Sequence, residues 1–275
     1  MAHKTLVNGT SYEISGGKTL VNGTAYSISG GKTLVGGTTY KIGLGGGGAT
    51  VGNLAVGSSV YMNRNGDPME FIVIHQGLPD ANLYDASCDG TWLLQKYILS
   101  TPIYQANNTN YGTSGTHTSY LNTNEIAVFD ENIQAAIKEV KIPYVNGTDM
   151  TSPIASKGNG VTSKLFLLSG REVGFTPNMY TGLPEDGACL DYFKGTLNLD
   201  TKRIGRFPAN SATKWFLRTT ISSSYMMAVG TDGGTSTIMF IMKREEEEKM
   251  KNFNKNSNRA PITVGQVVRV ILAVI

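Results

Sequence analysis

Apolar and polar positions alternate in three copies of one 14-residue unit at the start of the chain. The copies begin at Lys4, Lys18 and Lys32, and each joins a Lys-Thr-Leu-Val run to a Thr-x-Tyr-x-Ile run through Asn-Gly or Gly-Gly. Asn-Gly between two β-type runs is the strongest short-range signal for a hairpin, because a type I′ turn needs positive φ at both central residues. The pattern therefore predicts an array of β-hairpins over residues 1–45.

A single hairpin of this kind carries too few apolar side chains to bury a core, so it needs neighbours or other subunits. We expect an anchoring and assembly surface formed by Leu6, Tyr12, Ile14, Leu20, Tyr26, Ile28, Leu34, Tyr40 and Ile42. Hairpin edges favour homo-oligomers, and a trimer is the expected state. Two other readings stay open: a repeat without any partner, and N-glycosylation at the Asn-Gly-Thr sequences of Asn8, Asn22 and Asn146.

The repeats and the remainder of the chain differ in pattern. A glycine-rich run at 43–48 predicts a flexible linker over 46–56, followed by one domain over 57–275. The apolar end, 264–275, is too short to span a bilayer and contains Arg269, so it is predicted to be a final core strand.

Within the domain, the hydrophobic pattern predicts both hairpins and helices. β-type runs flank Asn65-Gly66-Asp67 and Thr231-Asp232-Gly233, and each pair predicts a hairpin. The run 121–140 is the clearest helical region, with Asp130 as a cap and an apolar stripe after it. Ser169-Gly170-Arg171-Glu172 matches a capping box and predicts the start of a short helical turn.

Composition narrows the class of protein. Of 275 residues, 33 are glycine, 40% are hydrophobic and 16% are charged, which is typical of a turn-rich β protein. The net charge of +3 is too small to indicate nucleic-acid binding, and no apolar stretch predicts a secretory signal or membrane insertion. Cys88 and Cys189 lack metal-binding spacing, so we expect reduced thiols in a protein made in the cytoplasm.

A series of segments with a shared family pattern occurs in order along the chain: 57–63, 83–94, 119–122, 140–144, 165–169, 172–175, 190–193, 202–204 and 215–218. Through these segments, from Gly57 to about Arg218, the chain resembles a family of phage and bacterial proteins of unnamed function, domain of unknown function 6273. Repeats similar to Lys-Thr-Leu-Val-Asn-Gly-Thr often precede this domain in phage structural proteins. The closing segment, Asn258-Arg259-Ala260-Pro261-Ile262, departs from the family pattern and follows an unusual run of glutamates.

The resemblance implies a fold in the group of C-type lectins and formylglycine-generating enzymes. The expected fold class is mixed α+β, with N-terminal β-hairpin repeats followed by a C-type-lectin-like domain. In that group a variable surface lies near the C-terminal strands, and Ser and Tyr suit adaptable binding loops. The candidate ligand-binding surface is therefore Ser222, Ser223, Ser224, Tyr225, Thr231 and Asp232, with Asn108 and Tyr111 as a second, weaker loop. Each could equally be a plain solvated turn.

The sequence offers no catalytic pattern. His3, His75 and His117 lie far apart, and no GxSxG, HExxH or P-loop motif is present. The enzymes of the fold group use cysteines, but Cys88 and Cys189 match no motif of theirs. C-type lectins hold Ca²⁺ with clustered carboxylates, and no such cluster occurs here. We therefore expect no catalytic residue, no metal and no cofactor, and Trp92 and Trp215 are expected in the core.

Two functions follow from the resemblance and the repeats. The first is a bacteriophage virion protein, a tail-tip or fibre-like adhesin, assembled in the bacterial cytoplasm. Its repeats would bind other virion proteins, and its lectin-like domain would bind a host glycan or protein. The second is a purely architectural virion protein, in capsid decoration or tail assembly, with no receptor. An enzyme related to formylglycine generation is a third reading, and it requires a reactive cysteine.

Overall fold

A computed structural model describes residues 3–7, 10–14, 18–21, 24–27, 31–35, 38–42, 51–98, 111–112, 115–195, 199–208, 210–223, 225–239 and 271–273. The chain divides into two units, Met1–Asn53 and Leu54–Ile275. The division falls inside the stretch 46–56 that the sequence predicts as a linker.

The first unit contains six strands that pair in sequence order. They are β1 (His3–Val7), β2 (Thr10–Ile14), β3 (Lys18–Val21), β4 (Thr24–Ser27), β5 (Gly31–Val35) and β6 (Thr38–Ile42). Each copy of the repeat forms its own antiparallel two-stranded sheet, with Val7 opposite Thr10 in the first copy and equivalent pairs in the others. Of the predicted assembly and glycosylation residues, Ile28, Asn8 and Asn22 lie outside the described residues.

The second unit is mixed, with mostly β-strands in small antiparallel sheets and a few short helices. The strands are β7 (Ser59–Arg64), β8 (Asp67–Gln76), β9 (Thr91–Gln95), β10 (Val140–Ile142), β11 (Tyr144–Val145), β12 (Ile154–Ala155), β13 (Val161–Ser163), β14 (Leu165–Phe166), β15 (Gly205–Arg206), β16 (Ala212–Thr213), β17 (Trp215–Ser222), β18 (Tyr225–Val229), β19 (Thr235–Met239) and β20 (Ile271–Ala273). The α-helices are α1 (Thr116–Tyr120), α2 (Glu131–Ala136) and α3 (Leu199–Arg203), and a π-helical turn covers Leu121–Glu125. Single 3₁₀ turns cover Ala86–Cys88, Ile126–Val128, Lys157–Asn159 and Asp191–Phe193, and a further one, Val51–Asn53, ends the first unit.

The largest sheet has five strands in the order β14-β20-β9-β8-β7. Its first hairpin turns at Asn65 and Gly66, whose φ values of 53° and 82° are those of a type I′ turn. The predicted hairpin is therefore confirmed. The predicted final strand is confirmed as β20, which pairs with β9 and β14 in the interior of the sheet.

A second sheet has three antiparallel strands in the order β17-β18-β19 and contains the other predicted hairpin. Trp92 on β9 and Trp215 on β17 are fully buried, which confirms that both belong to the core. Trp92 packs edge-on against Tyr84 and Phe166, at ring-centroid distances of 5.6 Å and 5.4 Å. Each indole N–H donates to a backbone carbonyl, so neither ring carries an orphaned polar atom.

The prediction of one helix over 121–140 is wrong. Helical turns stop at Val128 and resume only over Glu131–Ala136, and Val140 already belongs to a strand. The cause is tertiary: Asn65 at the β7–β8 turn donates its N–H to the carbonyl of Val128. Asp130 begins α2 without a side-chain cap, because its carboxylate accepts the Asn63 amide instead. Among the described residues, no helix has the length and hydrophobicity that crossing a bilayer requires.

Candidate functional site

The predicted ligand-binding residues do not form one surface. Ser222 and Tyr225 pair at the turn between β17 and β18, and Ser223 is exposed at that turn. Thr231 and Asp232 lie in the turn between β18 and β19, at the opposite end of the same strand. Six residues of extended chain span about 20 Å, so a small ligand cannot contact both turns. Ser224 and Asn108 lie outside the described residues.

The turn at Tyr225 is the part of this set that offers an accessible aromatic ring. Tyr225 is 40% exposed, which places it among the most exposed large hydrophobic residues of the described part of the chain. The chain beside this turn is fixed, because Ile221 accepts the Met150 N–H at 3.3 Å. Tyr225 therefore stands on a supported hairpin tip, which we call the tyrosine tip and define by Ser222, Ser223 and Tyr225.

Two other residues of the predicted binding surface, Asp232 and Tyr111, each make a structural contact. Asp232 accepts the N–H of Gly234 at 3.0 Å, and Gly233, at a φ of 86°, packs against the backbone of Asp200. These contacts fix a tight turn and give Asp232 a local role. Tyr111 is 1% exposed, and its hydroxyl accepts the Leu167 N–H at 2.8 Å. The prediction that Tyr111 lies on a binding surface is wrong, because this hydroxyl satisfies a buried backbone donor.

Sequence reasoning missed a buried charged cluster built around Arg218. Its guanidinium has five N–H donors, and it makes five hydrogen bonds. Two of them go to the carboxylate oxygens of Glu172, at 2.5 Å and 2.6 Å, and three go to the carbonyls of Pro143, Leu167 and Asp186, at 2.8 to 2.9 Å. Burial lowers the pKa of Arg218, but the Glu172 carboxylate outweighs it and the net pKa is raised. Arg218 is therefore a fully paired, permanently charged centre.

Glu172 extends this cluster toward two further segments. Its carboxylate also accepts the Tyr84 hydroxyl at 2.6 Å and the Ser169 N–H at 2.9 Å. In return, Ser169 Oγ accepts the Glu172 N–H at 3.2 Å, which confirms the predicted capping box. Burial, and then the nearby Glu172 carboxylate, raise the pKa of Tyr84 well above its ordinary value. Tyr84 is thus held as a neutral donor.

Asp186 completes the cluster. The Thr219 hydroxyl donates to Asp186 Oδ2 at 2.7 Å and accepts the Gly170 N–H at 2.9 Å. Asp186 Oδ1 has no hydrogen-bond partner among the described residues. Burial raises the pKa of Asp186 to about 6, against the opposing effect of Arg218. An unpaired buried oxygen of this kind is costly when it is charged.

A cleft of about 520 Å³ lies directly outside this cluster, between the segments 80–83, 171–176 and 185–189. Tyr84 follows the first segment, while Glu172 and Asp186 lie within the second and third. Each wall of the cleft is therefore tied to the same interior cluster by one inward-facing side chain. We call these three side chains together with Arg218 the buried tetrad.

Close backbone contacts fix the third wall further. The Ala188 N–H donates to the Tyr84 hydroxyl at 3.1 Å. Gly187 packs so tightly against Ser169 Oγ and Glu172 Cγ that a Cβ atom at this position would collide with both. A glycine is required here by close approach rather than by backbone dihedrals. The cleft is therefore formed before any ligand arrives.

The cleft exposes charged and polar groups. Arg171 lies at its rim, where Nε donates to the Pro184 carbonyl at 3.2 Å and Nη2 lies 3.4 Å from Glu185. Asp80 accepts the Asn82 N–H at 2.8 Å, which fixes its carboxylate at the opposite wall. The charged side chains around the cleft are thus Asp80, Glu185 and Arg171, with a net formal charge of −1.

Burial shifts the pKa values of both cysteines and of His117 in the direction that favours their neutral forms. Burial raises the pKa of Cys88 to about 12, and burial also raises the pKa of Cys189, which lines the cleft. Burial lowers the pKa of His117 to about 3. His75 Nδ1 lies 2.8 Å from Asp191 Oδ2, and this pair holds the 3₁₀ turn at Asp191 against β8. In the part of the chain that the structure describes, no group of three His, Cys, Asp or Glu residues could hold a metal ion.

Comparison with known proteins places the domain in a family. No curated protein and no solved structure matches the chain. The family described as "Domain of unknown function (DUF6273)" matches residues 89–274, which is more than half of the chain. The match includes Glu172, Asp186 and Arg218 and begins after Tyr84. The chain therefore belongs to the DUF6273 family.

Proposed function

We propose that the chain is a bacteriophage virion protein, a tail-tip or fibre-like adhesin with two parts of different purpose. The N-terminal hairpins attach it to other virion proteins and to further copies of itself, with a trimer as the expected state. In this proposal the second unit is the C-type-lectin-like domain that the family resemblance implies, and it binds a molecule of the host surface. The protein is assembled in the bacterial cytoplasm and acts on the particle.

The observation that carries this proposal is that one chain combines a segment of repeated hairpins with a separate domain. In the described part of the repeats, each hairpin pairs only within itself. An isolated two-stranded hairpin is marginally stable in water and gains stability from further strands or a packed face. Three such hairpins in succession therefore favour a segment that docks onto other chains, as an anchor does.

Binding is favoured over catalysis by the state of the ionisable groups. A nucleophilic cysteine requires a lowered pKa, whereas burial raises the pKa of both Cys88 and Cys189. The accessible features of the domain are instead the tyrosine tip and a preformed polar cleft. Both suit recognition of a ligand, and neither supplies a paired nucleophile and base.

The test uses the full chain, the particles that carry it and the cells that they infect. Labelled wild-type protein should bind cells, and Tyr225→Ser should weaken that binding, because it removes the exposed ring of the tyrosine tip. Tyr61→Ser is the matched control, since Tyr61 is 38% exposed on β7, in the other sheet. Incorporation into particles should be unchanged in both variants.

A triple variant that combines Leu6→Ser, Leu20→Ser and Leu34→Ser should lose incorporation into particles rather than cell binding. This variant should still bind cells but should no longer enter particles, because the repeats provide the attachment. Wild-type protein that binds particles and no cells would contradict the adhesin and favour the architectural alternative, which rests on the same repeated hairpins.

A further inference from the structure

We propose that the cleft between 80–83, 171–176 and 185–189 binds an uncharged saccharide directly, without a metal ion. This inference names a ligand class and a site that differ from the tyrosine tip. The inference rests on the proposed function only for the biological source of the saccharide, which is a glycan of the host surface.

The polar groups of the cleft suit hydroxyl groups. Asp80 and Glu185 are acceptors, Arg171 is a donor, and Asn82 and Thr176 can act as both. A saccharide hydroxyl also donates and accepts, so adjacent hydroxyls can bond to a carboxylate and to a guanidinium at once. The first and third walls add the apolar surface of Leu83 and Ala188, against which the C–H face of a sugar ring can pack.

The charge of the cleft disfavours anionic ligands. Two carboxylates and one guanidinium face the cleft, and the Arg171–Glu185 contact at 3.4 Å already partly neutralises the cation. A phosphate or a carboxylated ligand would meet an excess of negative charge, which disfavours it. The volume of about 520 Å³ lies in the range of small-molecule sites. An uncharged polyhydroxylated ligand fits both constraints.

Preorganisation makes such binding effective. Each hydrogen bond to a sugar replaces hydrogen bonds to water and therefore adds little net free energy of binding. Affinity then depends on walls that lose no further conformational entropy when the ligand binds. The three walls are held together by Arg218. It donates hydrogen bonds to Glu172 in the second wall and to the Asp186 carbonyl in the third, and Tyr84, next to the first wall, donates to the same Glu172 carboxylate. The buried tetrad therefore explains why a polar cleft can keep its shape without a ligand.

The test is saturation-transfer NMR on the full chain, with N-acetylglucosamine, galactose and rhamnose as uncharged probes and N-acetylneuraminic acid as the anionic probe. We expect transfer to at least one uncharged probe, no transfer to the anionic probe and no effect of EDTA. Thr176→Trp places an indole in the cleft from an exposed position, and it should weaken binding by about tenfold or more. Thr123→Trp, at an exposed position of the Leu121–Glu125 turn and outside the cleft, is the matched control and should bind as the wild type does.

Several outcomes overturn the inference. They are the absence of transfer to every uncharged probe, equal binding by Thr176→Trp and Thr123→Trp, loss of binding with EDTA, and preference for the anionic probe. If Thr176→Trp fails to fold, Glu185→Lys replaces it: Glu185 is exposed, and reversing its charge should admit the anionic probe. A Glu185→Lys variant that keeps the wild-type selectivity also overturns the inference.

The same proteins distinguish this inference from the proposed function. Cell binding without transfer to any saccharide removes the cleft inference and leaves the adhesin standing. Transfer to an uncharged saccharide without cell binding removes the adhesin and leaves the cleft inference standing.

Discussion

Replacement of Glu172 by glutamine tests the role of the buried tetrad most directly. Glutamine keeps the shape of glutamate but replaces one acceptor oxygen by an NH₂ donor. In the native protein four donors converge on the two Glu172 oxygens: two N–H groups of Arg218, the Tyr84 hydroxyl and the Ser169 N–H. Whichever way the amide turns, its NH₂ group faces two of these donors. The Arg218 guanidinium also loses its counter-charge.

The expected cost follows from the burial of both partners. The side chains of Arg218 and Glu172 are fully buried, so solvent cannot replace what is lost. Breaking a buried ion pair by removing one partner destabilises a protein by about 3–5 kcal/mol, because the other charge stays buried. A typical domain has a free energy of unfolding of about 5–15 kcal/mol, so Glu172→Gln should leave the second unit marginally stable.

Urea unfolding followed by tryptophan fluorescence measures this loss. Both tryptophans of the chain, Trp92 and Trp215, lie in the second unit, so the signal reports on that unit alone. Glu185→Gln is the matched control: it makes the same chemical change on a side chain that is 86% exposed, and it should cost less than about 1 kcal/mol. Combining Glu172→Gln with Arg218→Met should cost less than the two single changes together, because no isolated charge remains.

Equal, small losses in Glu172→Gln and Glu185→Gln would refute the reasoning, because the buried pair would then contribute no more than an exposed carboxylate. Additive losses in the double variant would refute it too, since two residues that act as one pair must couple in a double-mutant cycle.

Three further predictions concern other buried groups. Burial raises the pKa of the Asp186 carboxyl from its ordinary 3.8 to about 6 in the folded state, so protonation of this carboxyl favours folding. The stability gained in this way is present below about pH 4 and is lost as the pH rises through 6. Asp186→Asn should therefore be more stable than wild type at pH 7, by up to about 3 kcal/mol, and the difference should vanish near pH 4 in urea titrations at both pH values. Tyr111→Phe leaves the buried Leu167 N–H without its acceptor and should lower the free energy of unfolding by about 1–3 kcal/mol; an unchanged urea midpoint would contradict the buried placement. Under native conditions a thiol reagent should modify the half-buried Cys189 slowly and Cys88 only on unfolding, since burial raises the pKa of both thiols; rapid modification of either would support the enzyme reading.

The features that sequence predicts well here are local ones. Asn65-Gly66 needs only its own two backbone conformations to specify a hairpin turn, and the structure has both. The capping box of Ser169 and Glu172 is likewise contained in four residues, and both of its hydrogen bonds form. Trp92 and Trp215 are buried because each lies in a strongly apolar strand. In each case the sequence signal is contained in a few neighbouring residues, although the contacts that bury Trp92 extend to Phe166.

The features that sequence missed depend on contacts between distant segments. A helical pattern at 121–140 is interrupted because a hairpin turn more than sixty residues earlier takes the Val128 carbonyl. The Arg218–Glu172 pair joins positions 46 residues apart, and Tyr84 reaches Glu172 across 88. No periodicity or motif pairs such positions. The signal that did exist was the family resemblance, since Tyr84, Glu172 and Arg218 each lie in a segment that carries it.

The segments that form the buried tetrad also place side chains in the cleft. The resembling segments contribute three side chains of the buried tetrad, those of Tyr84, Glu172 and Arg218, whereas Asp186 lies outside them. Arg171 and Glu185, which adjoin Glu172 and Asp186 along the chain, line the cleft. Adjacent residues thus face opposite sides of the same wall. A change on the inner side alters stability and cleft shape together, as Glu172→Gln should. A change on the outer side, such as Glu185→Lys, alters only the ligand. A single scaffold can therefore keep its fold while the side chains that line its cleft vary, which is what the proposed adhesin would need.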